Sequence, residues 1–180
     1  MQTLDGKVAL ITGAGSGIGR ETALLFAEHG ATLVLAGRRL APLESVAEEA
    51  RRYGTSVFVQ SVDLEDGEAA ENLGRWALQQ CAVVDILVNN AGHSSKVRSI
   101  RYVGSEDWQS VFRVNVEGVY RLTQSLIEAM IEKGQGTVIT VSSMAALKPG
   151  LLGGAPYSAA KAASRNLMGD INIELNDLGI

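Results

Sequence analysis

Residues 12–19 read Thr-Gly-Ala-Gly-Ser-Gly-Ile-Gly, and they stand between a short apolar run, Val8–Ile11, and a longer amphipathic one, Gly17–Gly30. Glycines at alternate positions permit a tight turn and a close approach of other groups, because no Cβ is in the way. The short run is typical of a buried strand, and the apolar spacing of the longer run is typical of a helix. The stretch therefore predicts a strand, a glycine turn and a helix in direct succession.

The same alternation of short β-branched runs and longer amphipathic runs continues along the chain. Five runs predict strands that are buried on both faces: Val8–Ile11, Thr32–Leu35, Ser56–Val59, Ile86–Val88 and Thr137–Val141. Five longer runs predict helices: Gly17–Gly30, Leu40–Tyr53, Glu65–Gln80, Ser105–Lys133 and Ala155–Leu178. Strands that alternate with helices form a parallel sheet with right-handed crossovers and helices on both faces. The predicted fold class is therefore α/β, doubly wound.

The composition fits one globular domain over residues 1–180, with 46% hydrophobic and 20% charged residues. A formal net charge of −4 gives no electrostatic basis for binding nucleic acid. Cys81 is the only cysteine, and His29 and His93 do not form a ligand-spaced pair, so we expect neither a disulfide nor a metal site. The sequence has no signal-peptide pattern and no apolar run of about 18 residues, so we expect a cytoplasmic protein that does not enter a membrane.

The glycine turn opens a predicted helix, which indicates a site for the phosphates of a nucleotide. Amide groups at a helix N-terminus face an anion there, and the helix dipole favours negative charge. The spacing is GxxxGxG, formed by Gly13, Gly17 and Gly19, and not the GxGxxG of the general dinucleotide fingerprint. It is neither a P-loop, since no Gly-Lys-Ser/Thr follows, nor the GxSxG of a hydrolase elbow, since the residues two positions from Ser16 are Ala14 and Ile18. An ordinary glycine-rich turn remains the alternative.

The end of the second predicted strand indicates which dinucleotide is bound. An acidic residue about 20 positions beyond the glycine turn would accept a hydrogen bond from a ribose 2′-hydroxyl. This chain instead reads Ala36-Gly37-Arg38-Arg39. A guanidinium suits a 2′-phosphate and leaves a 2′-hydroxyl without its usual acceptor. The sequence therefore predicts NADP in preference to NAD, unless both arginines are merely solvated loop cations.

Tyr157 and Lys161 lie four residues apart at the start of the last predicted helix, and so on one helical face. Lowering the pKa of a phenol by about 3 units takes roughly 4 kcal/mol. One cation about 4.5 Å away supplies a comparable free energy at an effective dielectric near 20. A Tyr-x3-Lys pair can also arise by chance. Its place after a strand that ends in Ser142-Ser143 favours a reacting site, because open α/β sheets bind ligands at the carboxyl ends of their strands.

These motifs resemble those of the short-chain dehydrogenase/reductase family over essentially the whole chain. Residues 12–19 are similar to its TGxxxGxG cofactor loop, and residues 89–92, Asn-Asn-Ala-Gly, to its NNAG signature. Asp63 matches its adenine-contacting acidic residue. Its catalytic tetrad corresponds to Asn115, Ser143, Tyr157 and Lys161. The resemblance implies a Rossmann-like sheet of about five strands in the order 3-2-1-4-5, from which the last two strands of the family are missing.

The resemblance also implies a reaction, a hydride transfer between NADP(H) and a small-molecule alcohol or ketone. Tyr157 would exchange a proton with the substrate oxygen, which Ser143, or its neighbour Ser142, would hydrogen-bond. Lys161 would favour the phenolate and bind the nicotinamide ribose, and Asn115 would hold a relay water. The implied cofactor contacts are Gly13, Ser16, Gly17, Ile18, Gly19, Arg38, Arg39, Asp63, Leu64, Asn89, Ala91, Gly92, Tyr157 and Lys161.

The chain also departs from the family pattern. The family continues with two more strands and a substrate lid beyond the position of Ile180, so a shortened chain is expected and a nucleotide-binding or interaction domain without catalysis is the alternative. The interval from Ser143 to Tyr157 is about one residue longer than the family leads us to expect, and the loop 148–154 would absorb the difference.

Two further expectations concern surfaces. Helices 105–133 and 155–178 correspond to the subunit interface of the family, so the resemblance implies a homo-oligomer. Residues 93–101 contain three cations, Lys96, Arg98 and Arg101, close to the predicted site. They either favour an anionic substrate or belong to a solvated loop.

Overall fold

The five short apolar runs form one parallel sheet in the computed structural model, which describes residues 3–148, 150 and 153–180. The strands are β1 (Val8–Thr12), β2 (Thr32–Gly37), β3 (Val57–Ser61), β4 (Ile86–Asn89) and β5 (Thr137–Thr140). Their order is β3-β2-β1-β4-β5, and each neighbouring pair is parallel. The predicted doubly wound α/β fold and its strand order are confirmed.

The helices connect these strands and cover both faces of the sheet. They are α1 (Gly17–Glu28), α2 (Leu40–Arg51), α3 (Gly67–Cys81), α4 (Ser105–Phe112), α5 (Gly118–Lys133) and α6 (Ala155–Leu175). One core cluster packs α1 and α2 on Ala9, Ile11 and Leu33, and the other packs α3 and α5 on Leu10 and Leu87. Successive β1 residues thus serve opposite faces, as the alternation of side chains along a strand requires. Among the described residues, no helix is both long enough and apolar enough to cross a bilayer.

Helix boundaries differ from the prediction where side chains or glycines set them. Helix α3 begins at Gly67 and not at Glu65, because the Asp66 carboxylate caps the helix by accepting hydrogen bonds from the amides of Glu68 and Ala69. Helix α1 ends at Glu28, and Gly30 follows with a φ of +91°, a conformation that favours glycine.

The predicted continuous helix Ser105–Lys133 is wrong in its middle. Residues Arg113–Glu117 form a π-helical turn between α4 and α5. Within that turn the Asn115 Nδ2 donates to the Val111 carbonyl, which accepts it at 2.9 Å. A side chain that occupies an i−4 carbonyl competes with the backbone ladder, and wider π turns of this kind occur often at functional sites. Hydrophobic spacing does not register such a local change.

The prediction that all five strands are buried on both faces is wrong for β3 and β5. Strand β3 is mostly half-buried, and β5 alternates between exposed and half-buried residues. Both lie at the edges of the described sheet, where fewer elements cover them. The three central strands are almost wholly buried, as expected.

The carboxyl ends of β1 and β4 create the position of the candidate site. From β1 the chain adds β2 and β3 towards one edge of the sheet, and from β4 it adds β5 towards the other edge. The connections that follow β1 and β4 therefore leave on opposite faces of the sheet. A crevice opens where the strand order reverses in this way, and it is the usual ligand position of open α/β sheets.

The amino ends of the strands, opposite the candidate site, contain the buried carboxylate of Asp85, which directly precedes β4 and is 3% exposed. It accepts a hydrogen bond from the Val8 amide at 2.9 Å, pairs with Lys133, and lies 3.7 Å from the Lys7 ammonium. Burial raises the pKa of Asp85, but the hydrogen bonds from Lys133 and Val8 and the two lysine charges outweigh it, so the pKa lies below its ordinary value.

We expect Asp85→Asn to lower the free energy of unfolding at pH 7 by about 2 kcal/mol, because charge-assisted hydrogen bonds are lost. The native pKa lies below the unfolded one, so the stabilisation is present above about pH 4 and is lost as the pH falls through the native pKa. Urea titrations between pH 3 and 7 measure both effects. The exposed Asp5→Asn serves as the control. A stability gap that stays constant down to pH 3 would contradict this assignment.

Candidate functional site

A cavity of about 470 Å³ opens at the carboxyl ends of the strands. Its volume falls in the range of ordinary ligand pockets. The lining residues come from the glycine turn, the ends of β2 and β3, the segment after β4, the end of β5 and the start of α6. Those that the sequence predicted as site residues are Gly13, Ser16, Ile18, Arg38, Arg39, Asp63, Leu64, Ala91, Gly92, Tyr157 and Lys161.

The glycine turn is packed too tightly for side chains. A Cβ on Gly13, whose φ is +65°, would lie 3.0 Å from the Ala91 Cα, and a Cβ on Gly19 would lie 2.5 Å from the Gly13 carbonyl oxygen. The side-chain Nδ2 of Asn90 donates to the carbonyls of Thr12 and Gly13, at 2.8 and 3.3 Å. These contacts fasten the turn after β1 to the segment after β4.

The start of α1 leaves donors available to an anion. Ser16 is the N-cap residue, but its side chain makes no capping hydrogen bond, and the first turn contains no acidic residue. The first amides of a helix have no intrahelical partner. Because Ser16 and Ile18 line the cavity, these amides border it, as the phosphates of a dinucleotide require. The site therefore fits such a cofactor.

Two exposed arginines line the same cavity at the end formed by β2 and β3. Arg38 and Arg39 follow β2 directly, and neither forms a salt bridge with any residue that the structure describes. The Ser61 hydroxyl donates to the Arg38 carbonyl at 3.1 Å and ties this loop to β3. Asp63 and Leu64 stand beside them in the lining. The arrangement can accommodate a phosphorylated ribose and a base.

Tyr157 and Lys161 lie together at the end of the cavity that is formed by β5 and the start of α6. Both belong to the first two turns of α6, and the Lys161 Nζ lies 5.9 Å from the centre of the Tyr157 ring. Lys161 is 6% exposed, and its ammonium donates to the Val141 carbonyl at 2.8 Å. Burial lowers the pKa of Lys161, which favours its neutral form and brings its proton exchange closer to neutral pH.

Asn115 approaches Lys161 from the π-helical turn. It is fully buried, and its Nδ2 donates to the carbonyls of His93 and Val111, at 3.0 and 2.9 Å. Its Oδ1 is buried without a hydrogen-bond partner among the described residues. A Cβ on Gly92 would lie 2.5 Å from that oxygen and 3.4 Å from the Lys161 Nζ. Both polar atoms therefore flank one small space beside Gly92, where a water would find an acceptor and a donor.

Five of the predicted residues do not line the cavity: Gly17, Gly19, Asn89, Asn115 and Ser143. The buried Asn89 amide donates to the Thr123 hydroxyl at 3.0 Å and so joins β4 to α5. The Ser143 hydroxyl accepts a hydrogen bond from the Ala145 amide at 3.2 Å, as the cap of the short helix Met144–Ala146, whereas its neighbour Ser142 lines the cavity. Gly19 packs against the Gly13 carbonyl and so allows the turn to close.

Sequence reasoning missed several lining residues, among them Pro42, Leu43, Val62, Val114 and Val141. They are apolar, and no motif distinguishes them from core residues. In the loop 148–154, which was expected to absorb the longer interval before Tyr157, Pro149, Leu151 and Leu152 lie outside the described residues.

A second, apolar groove lies on the helices that were expected to form an interface. Its lining includes Trp108, Phe112, Tyr120 and Leu167, and the rings of Trp108 and Phe112 stack 5.0 Å apart. The homo-oligomer remains a prediction.

Comparisons with known proteins agree with this geometry. A sequence profile of the family described as short chain dehydrogenase matches residues 7–180. The chain is 35% identical over 176 residues to the 3-oxoacyl-acyl-carrier-protein reductase FabG of Thermotoga maritima, across 91% of this chain and 71% of that relative. An alcohol dehydrogenase from the archaeon Thermococcus sibiricus, complexed with 5-hydroxy-NADP, superposes with a TM-score of 0.87 at 30% identity, over 95% of this chain and 72% of that one. An NAD⁺-bound xylitol dehydrogenase superposes with a TM-score of 0.93 at 28% identity, over 99% and 68%.

Proposed function

The chain belongs to the short-chain dehydrogenase family of NAD(P)-dependent oxidoreductases, and on this premise we propose that it transfers a hydride between NADP(H) and an alcohol or carbonyl substrate. One observation carries the proposal. Lys161 and Asn115 flank one small space beside Gly92, and the Tyr157 ring lies next to Lys161 in the lining of the cavity. The same cavity is lined by the glycine turn and by two arginines that form no salt bridge with any described residue.

The preference for NADP rests on the arginines, because similar structures contain either NADP or NAD and family membership does not decide between them. Arg38 and Arg39 are positively charged, exposed and next to the cavity. A guanidinium matches a phosphate through paired hydrogen bonds. No carboxylate stands at the end of β2 to hold a free 2′-hydroxyl.

The bound dinucleotide supplies the hydride donor or acceptor. Tyr157 donates its phenolic proton to the carbonyl oxygen during reduction and takes it back during oxidation. Ser143 is the donor to the same oxygen that the family resemblance implies, and its hydroxyl, which accepts from the Ala145 amide, keeps its own proton to donate. Ser142, which lines the cavity where Ser143 does not, is the alternative donor. The Lys161 ammonium favours the phenolate form of Tyr157, and Asn115 holds a water through which Lys161 exchanges protons with solvent.

The direct test is a spectrophotometric assay at the absorbance of NADPH with a panel of ketones and aldehydes, and of alcohols with NADP⁺. We expect turnover with at least one member of the panel, and a higher kcat/KM with NADPH than with NADH. Fluorescence titration measures NADPH binding in parallel. Tight NADPH binding without turnover on any substrate would instead indicate a nucleotide-binding domain without catalysis.

A further inference from the structure

The carboxylate of Asp107 holds the segment that follows the NNAG residues. It accepts hydrogen bonds from the Ser95 hydroxyl at 2.6 Å, the Val97 amide at 2.9 Å and the Lys96 amide at 3.2 Å. Ser95 is buried, while Lys96 and Val97, which follow it, are exposed. The hydrogen bonds from Ser95 and Val97 lower the pKa of Asp107, so the carboxylate is charged at neutral pH and its hydrogen bonds are of the stronger, charge-assisted kind.

The segment held in this way packs against the loop before Tyr157. Arg98 follows Val97 directly, and a Cβ on Gly154 would lie 2.9 Å from the Arg98 Cα. Gly154 also has a φ of +81°, so two conditions favour glycine there. A Cβ on the preceding Gly153 would overlap Cδ1 of the Tyr157 ring. A series of contacts therefore leads from the Asp107 carboxylate, through residues 95–98 and the glycines 153 and 154, to the Tyr157 ring.

A carboxylate in the first turn of α4 has a simpler role, which is to stabilise the helix dipole. Glu106 occupies the same turn, is exposed, and makes no hydrogen bond or salt bridge with any residue that the structure describes. A carboxylate can therefore serve the helix dipole without such contacts, and the dipole alone does not account for the three hydrogen bonds of Asp107. Glu106 provides a control of equal charge and nearly equal position.

We propose that Asp107 is a positioning residue for the reaction. Its carboxylate fixes residues 95–98 against Gly154, and this contact sets the place of the Tyr157 ring, which meets the carbonyl substrate. None of residues 95–98 lines the dinucleotide cavity, so the effect falls on the substrate and not on the cofactor. The inference rests on the proposed function, because it assigns Tyr157 a catalytic role.

The test compares Asp107→Asn with Glu106→Gln in two readouts. Hydrogen exchange in Asp107→Asn is expected to be about tenfold faster in peptides that cover residues 94–102 and in those that cover 153–158, because both segments lose their anchor. The KM for the carbonyl substrate should rise about tenfold, which corresponds to about 1.4 kcal/mol. We expect kcat to fall as well, by about three- to tenfold, because the Tyr157 ring is displaced but keeps its hydroxyl, and the Kd for NADPH to stay unchanged. Glu106→Gln should behave as the parent.

Two results would overturn the proposal: unchanged exchange in both segments, or faster exchange at 94–102 with neither segment 153–158 nor KM affected. If the parent protein reduces no carbonyl, the proposed function fails, and exchange at 153–158 by itself decides on the contact. Should Asp107→Asn fail to fold, Ser95→Ala is the second variant. It removes the Ser95 contacts with Asp107 and with the Val97 carbonyl but leaves the two amide hydrogen bonds to Asp107. It is expected to change the same quantities in the same direction by a smaller amount.

Discussion

Replacement of Tyr157 by phenylalanine is expected to lower kcat for carbonyl reduction by about 10²–10⁴-fold, the usual contribution of a positioned general acid. The change keeps the aromatic ring that lies against Gly153 and below the Lys161 ammonium, and it removes only the hydroxyl. The fold and the dinucleotide cavity should therefore remain intact. Steady-state kinetics with saturating NADPH measure the loss, and circular dichroism and NADPH fluorescence confirm folding and cofactor binding.

The matched control is Tyr53→Phe, which removes a phenolic hydroxyl beyond the end of α2 and outside the cavity lining. It should leave kcat within twofold of the parent, since surface substitutions away from a site have small effects. Equal kcat values for Tyr157→Phe and the parent would show that another group donates the proton. A fall in kcat that is matched by an equal loss of NADPH affinity would assign Tyr157 to cofactor binding alone.

The fold was predictable because its signals are local and agree with one another. Runs such as Val8–Ile11 and Thr32–Leu35 are short and apolar, and each is followed by a run with helical spacing. Right-handed crossovers then leave few possible topologies. Burial of the edge strands was not predictable in the same way. Both β3 and β5 contain β-branched apolar residues, such as Val57 and Ile139, as the central strands do, and the sequence does not show which strands the helices cover.

The site was predictable where spacing carries the chemistry. The i, i+4 relation of Tyr157 and Lys161 and the glycines after β1 depend on local geometry, and the structure brings both groups to one cavity. The orphaned Oδ1 of Asn115 depends on a π-helical turn that no spacing rule detects. The three contacts of Asp107 join α4 to a loop ten or more residues away, and the sequence gives no sign of which of two adjacent carboxylates makes them.

Lys161 illustrates how burial and charge act against each other at such a site. A buried ammonium favours the phenolate only while it is charged, yet burial lowers the pKa of Lys161. Its hydrogen bond to the Val141 carbonyl favours the charged form, and so does the nearby Asn115 Oδ1, which has no hydrogen-bond partner among the described residues. This buried acceptor supports the proposal that Lys161 exchanges its proton through a water.

Replacement of both Arg38 and Arg39 by alanine is expected to weaken NADPH binding by about 10²–10³-fold and NADH binding by less than about threefold. Each guanidinium supplies charge-assisted hydrogen bonds to a 2′-phosphate, and NADH has no such group. Fluorescence titration of parent and variant with both dinucleotides gives the four Kd values, and kcat/KM with each cofactor should follow the same ratio. The control removes two other exposed arginines, Arg52 and Arg165, which do not line the cavity.

The dependence of binding on salt separates charge recognition from a change of shape. Both arginines are exposed, so their attraction for a phosphate is screened as the ionic strength rises. The Kd of the parent for NADPH should therefore increase between 50 mM and 500 mM salt, whereas the Kd of the double variant should change much less. NADH should show a weak dependence in both proteins. An equal loss of affinity for NADPH and NADH, with no difference in salt dependence, would mean that Arg38 and Arg39 hold the loop after β2 in place and do not recognise the 2′-phosphate.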